Sequence, residues 1–177
     1  MIIDSRFIRR LLAIVLLIAP PEFAGAHAAS SASHETRIAS CIRQVSGGRT
    51  WLEKTLWGLR DKEGGWVGAE VPNSDGSHDL GPLQINSWWV TRIADKVQRP
   101  PNIVRYWLVN DACFNVDAAR WIFLSALTTT GDYWKAIGVY HSPTAWRQRR
   151  YAALVAVKMS KRFGTAIFSQ RRSRETD

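Results

Sequence analysis

One carboxylate stands out by its position. In LWGLRDKEGG (56–65) a helix-forming, partly apolar run carries Glu63 and then stops at two glycines. At about 100° per residue, Leu52, Leu56, Leu59 and Glu63 fall within roughly 60° of one another on a helical wheel, so Glu63 continues the apolar face. Asp61 and Lys62 point elsewhere. Burial raises a carboxyl's pKa, and the negative end of the helix dipole also disfavours an anion. Both effects hold Glu63 towards its protonated form, the state a general acid needs. The bland alternative is a half-exposed helix end paired with an arginine. The glycines are expected to end the helix and turn the chain away, leaving room for a ligand to reach the acid.

DLGPLQINSWW (79–89) follows a polar stretch, GGWVGAEVPNSDGSHDLG (64–81). It gathers Gln84, Asn86 and two tryptophans. Amides hydrogen-bond sugar hydroxyls and aromatic faces stack on pyranose rings; equally, such residues cap helices and fill cores. Nine tryptophans in 177 residues suggest either a Trp-rich core, the default expectation, or a stacking groove. Glu70, Asp75 and Asp79 are the nearest candidates for a second carboxylate, although turn and surface roles suit their loop better.

The elements that must position these groups read as helices. A length of 177 residues fits one domain able to bury a core. Ile38, Cys41, Ile42 and Val45 mark one helical face from Glu35, ended by Gly47 and Gly48. A second helix spans about 50–62. The polar stretch is a long loop or a hairpin, and the helical pattern resumes from Pro82 to about Lys96. Further helices are expected over 102–109, 112–127 (capped by Asn110 or Asp111), 133–141 and 146–162, the last with Leu154, Val155 and Val157. The fold class is therefore all-α, or α+β if a small hairpin forms in 64–81.

Residues 1–28 have the pattern of a secretory signal peptide. Arg6, Arg9 and Arg10 precede the apolar LLAIVLLIA (11–19), and AGAHA (24–28) offers cleavage after Ala26 or Ala28. A periplasmic protein is expected, or a membrane-anchored one if the signal is retained. Residues 29–34 read as a spacer, 35–165 as the domain and 166–177 as a basic, flexible tail. In an oxidising compartment the two cysteines, Cys41 and Cys113, most simply form one disulfide. No HExxH or CxxC occurs and the four histidines are scattered, so no metal or cofactor is expected. The net charge of +9 favours an anionic partner such as nucleic acid, anionic lipid or an acidic wall polymer. The signal peptide and the lack of a nucleic-acid motif argue against nucleic acid.

The order of motifs resembles the lytic transglycosylases, the goose-lysozyme-like enzymes that cut peptidoglycan. KEGG (62–65) matches their catalytic Glu before a glycine turn. GPLQI (81–85) matches their GLMQI-type motif, with Pro82 as a departure. CFNVDAARWIF (113–123) matches a later helix, and GVYHSPT (138–144) matches their AYNAG motif, with His141 and Ser142 replacing Asn and Ala. The variant is similar to the subgroup associated with conjugation and type IV secretion, and the resemblance covers about residues 35–158. It implies a lysozyme-like fold and cleavage of the β-1,4 bond between N-acetylmuramic acid and N-acetylglucosamine. Glu63 would be the acid and then the base, with a 1,6-anhydro product. Substrate-binding roles fall to Gln84, Asn86, Tyr140 and His141, with Tyr140 positioning Glu63 or the sugar by hydrogen bonding, and Asn115 would hold the helix start or the floor of the cleft. The implied partners are peptidoglycan strands and components of an envelope-spanning secretion or conjugation machine, met by a monomer. A non-catalytic glycan- or partner-binding module on the same fold and a hydrolytic muramidase are the competing readings.

Overall fold

A computed structural model describes the backbone of residues 22–168 and the side chains of residues 32–168; the apolar core of the signal sequence and the last nine residues lie outside this range. The described residues form seven α-helices and a small sheet: α1 (Glu22–Ser46), α2 (Thr50–Glu63), β1 (Glu70–Pro72), β2 (His78–Leu80), β3 (Ile85–Asn86), α3 (Trp89–Val97), α4 (Pro101–Asn110), α5 (Ala112–Thr130), α6 (Tyr133–His141) and α7 (Ala145–Phe163), then a short 3-10 turn (Thr165–Phe168). This is the mostly helical, lysozyme-like class expected, with the hairpin option realised. Among the described residues no helix is long and apolar enough to cross a membrane.

The leucines of α2 explain its path. Leu52, Leu56 and Leu59 are fully buried. The helix ends where Gly64 turns left-handed (φ 63°) and its amide bonds the Arg60 carbonyl at 3.0 Å. Helix α5 runs through the centre, touching α1, α4 and α6. Asp111 caps it by accepting from the amides of Cys113 and Phe114. Helix α1 begins well before Glu35, through the small-residue segment read as a spacer; alanine is the strongest helix former. The cysteines are paired as Cys41–Cys113, 72 residues apart.

Three expectations fail. Residues 82–88 are not helical: they form a turn and β3, and α3 starts only at Trp89. Gly81 and Gln84 both have positive φ (68° and 48°). The amides of Gly81, Leu83 and Gln84 bond Ala69 O, Asn115 Oδ1 and Gly81 O, respectively, which removes them from any helical ladder. The sheet is antiparallel in the order β1-β2-β3, with Glu70 opposite Leu80 and Leu80 opposite Ile85. Secondly, on α7 the buried stripe is Tyr151, Val155 and Met159, while Leu154 and Val157 face solvent. Thirdly, none of the tryptophans is fully buried: five are exposed and Trp57, Trp89, Trp107 and Trp121 are half-buried. The core is built instead from Leu, Ile, Val, Ala and Phe123. At the other end, Phe168 packs on Trp134 (5.7 Å), so order extends into the segment read as tail.

Candidate active site

Glu63 is the last residue of α2, carried by the leucine stripe to the edge of the core and left half-buried. No arginine pairs with it among the described residues. Its partner is Tyr151, whose hydroxyl donates to Oε1. Burial raises the Glu63 pKa; the Tyr151 bond and Lys62 pull it down, and the Asp79 charge pushes it up again. Burial is the largest influence, so the net direction is upward, towards the neutral acid. With Oε1 accepting from Tyr151, the proton belongs on Oε2, the oxygen left for a ligand. The Tyr151 phenol is itself pushed well above its ordinary value by burial and the neighbouring Glu63, so it remains a donor.

Glu63 opens on a cleft of about 440 Å³. One wall comes from the sheet and the following turn, with Asp79, Gln84, Asn86, Trp88 and Trp89. The other comes from the α6–α7 junction, with Tyr140, His141, Pro143 and Arg147. The cleft thus brings together Glu63, Gln84, Asn86, Tyr140 and His141, which are 78 positions apart at the extremes.

Each has its own engagement. The Tyr140 hydroxyl donates to the Leu83 carbonyl (2.9 Å) and so ties α6 to the turn that holds Gln84. The orienting bond is that of Tyr151, which sequence reading missed. Its 151/155/159 spacing on α7 is the signal that could have found it. His141 stacks on Tyr151, centroids 4.6 Å apart and planes within 7°. Burial, Lys62 and Arg147 lower its pKa against the opposing pull of Asp79. The Asn86 amide is largely committed within the protein: Nδ2 donates to Ser77 Oγ and Asp79 Oδ1, and Oδ1 accepts from the Trp88 amide. Gln84 donates to the Gly81 carbonyl (2.8 Å).

Asn115 lies behind the cleft. Fully buried, it accepts from the Leu83 amide (3.0 Å) and donates to the Leu80 and Leu108 carbonyls (both 2.8 Å). Gly81 fits because a Cβ there would overlap the Leu108 carbonyl oxygen and the Asn115 amide. The second helix-ending glycine has a different role from the one expected. A Cβ on Gly65 would overlap the Gly81 carbonyl oxygen and crowd Gln84, so Gly65 lets the Gln84 turn close on α2 rather than clearing space for a ligand.

Of the three other carboxylates, Glu70 pairs with Arg105 away from the cleft. Asp75 bonds Ser77 in the exposed β1–β2 turn at the rim. Asp79 lies on the cleft wall and is felt electrostatically by Glu63. Among the described residues no cluster of His, Cys, Asp or Glu is arranged to hold a metal ion. The arrangement therefore offers a desolvated, hydrogen-bonded acid, a second carboxylate on the same cleft, and amide and indole lining.

No family model matches the chain. It is similar to the invasion protein IagB of Salmonella typhimurium (strain SL1344) and of Salmonella typhi: 33% identical over 125 residues, 68% of this chain and 75% of the relative.

Proposed function

We propose that this chain, which belongs to the family of the invasion protein IagB and is lytic-transglycosylase-like, cleaves the β-1,4 bond between N-acetylmuramic acid and N-acetylglucosamine in peptidoglycan. The observation that carries this reading is Glu63: a carboxyl with a raised pKa, oriented by Tyr151 on the wall of a cleft that can seat a sugar. Glu63 gives its Oε2 proton to the glycosidic oxygen as the C1–O bond breaks. The resulting carboxylate takes the proton of the muramic C6 hydroxyl, whose oxygen closes on C1 as a 1,6-anhydro ring. No water is consumed and the acid is regenerated.

Asp79 favours a second outcome. A carboxylate on the same cleft can stabilise the oxocarbenium ion or direct a water, giving hydrolysis instead. The two products differ by one water, so mass analysis of digested peptidoglycan separates them. Glu63→Gln is expected to abolish release of soluble fragments with the fold retained. Undiminished release by that variant would end the assignment, and binding of glycan without any product from the parent would favour a non-catalytic module.

Export by residues 1–28 would bring the enzyme to the periplasm, where a basic protein meets an acidic wall. Local opening of that wall for an envelope-spanning secretion or conjugation apparatus is the cellular role we assign. Delivery to the periplasm is checked by fractionating cells that express the full chain.

A further inference from the structure

A second cavity of about 300 Å³ adjoins the cleft. His141 and Arg147 line both, so the two meet across the imidazole that stacks on Tyr151. Lys62, Arg147 and Arg150 bring three cations to the smaller cavity, Trp146 adds an exposed indole, and no Asp or Glu lines it.

This charge is set against the local fold. Helix α7 opens AWRQRR with no acidic residue in its first turn, and its N-cap, Thr144, makes no side-chain cap bond. Cations there oppose the positive end of the helix dipole. Four arginines elsewhere have carboxylate partners: Arg60 with Glu35, Arg105 with Glu70, Arg120 with Asp117 and Arg162 with Asp61. Among the described residues neither Arg147 nor Arg150 has a carboxylate partner. Arg147 lies instead over the Trp146 ring at 5.4 Å. A concave site with unmatched guanidinium groups and a positive helix end is built for carboxylates from outside the chain.

We propose that this cavity is a subsite for the carboxylates of the acidic peptide that muramic acid carries in the wall polymer. The inference rests on the function proposed above for its ligand, and continuity with the cleft favours it: a substituent on a sugar seated at Glu63 can enter the basic cavity past His141 without leaving the protein surface. The enzyme would thereby select peptide-bearing over stripped glycan.

The test is calorimetric binding to full-length Glu63→Gln protein, which cannot consume its ligand, of a disaccharide-peptide and of the same molecule with its carboxylates amidated. Amidation is expected to weaken binding about tenfold, the loss of one or two charge-assisted contacts. Adding Arg150→Gln should shrink that difference to about twofold or less, whereas Arg150→Lys, which keeps the charge, should retain most of it. Equal affinity for acid and amidated ligands in the parent overturns the proposal, as does an undiminished difference in a correctly melting Arg150→Gln protein. Binding of the free acidic peptide as tight as that of the disaccharide-peptide also overturns it and points to a separate acidic protein. These readouts need no cleavage: failure of the digestion with acid preference intact removes the reaction and leaves the subsite.

Discussion

The two ends of α2 open on different cavities. Its first turn, with Thr50, Trp51 and Lys54, lines a groove of about 850 Å³ completed by Tyr133, Trp134 and Phe168. Its last residue, Glu63, opens on a cleft about half that size. The larger space has aromatic lining too, but its one carboxylate, Asp132, caps α6 through the Lys135 amide. The smaller has a half-buried acid, a tyrosine that orients it and a second carboxylate on the wall. The proposed function therefore rests on neither size nor aromaticity but on desolvation of a carboxyl that lines a cleft.

That contrast can be broken most directly by activity. Glu63→Gln is expected to lower peptidoglycan cleavage by about 10²- to 10⁴-fold, the usual worth of a general acid, measured as soluble fragment release. Tyr151→Phe should cost about tenfold in kcat, the loss of one hydrogen bond. Because that bond lowers the Glu63 pKa, its removal should also move the alkaline limb of the pH profile upward. Asp79→Asn, which removes a charge that raises the pKa, should move the limb downward. Trp51→Ala and Trp134→Ala in the large groove should alter turnover by no more than about twofold; a loss as large as that of Tyr151→Phe would make the groove part of the active surface. The smallest effect is on stability. A carboxyl whose folded pKa is raised costs nothing below its ordinary value of 4.5; the cost grows as pH rises from there to the folded value and is constant above it. Glu63→Gln should therefore melt with the parent in acid and above it at neutral pH, as scanning calorimetry at several pH values would record.

Local spacing made some of this legible and left the rest hidden. The face of α2, the cap of α5, the bounds of α6 and the pairing of the two cysteines follow from neighbours within a few residues, or from there being only two thiols. Glu63 could be ranked as an acid for the same reason: its burial is a property of its own helix. Tyr151 is 88 positions away from it, and only packing of α7 on α2 brings them together. The stretch from Pro82 to Trp88 looked like the start of the helix that runs on to about Lys96. The amides of the 81–84 turn are claimed by Ala69, Gly81 and Asn115, the first and last of which lie outside the turn. Tryptophan counts misled because an indole is too large and too polar for the small-residue interior around α5, and so it collects at the margin.

Asn115 joins the end of α4, the end of β2 and the turn bearing Gln84 through one side chain inside the core. In terms of time, this leaves the backbone behind the cleft without a separate clock. Breaking the Leu83 amide bond to Asn115 means withdrawing a fully buried side chain from the central helix, so that amide should exchange its hydrogen as slowly as those of α5. The exposed Asp75–Ser77 turn at the rim should exchange far sooner, a difference that amide exchange read by NMR or mass spectrometry would show.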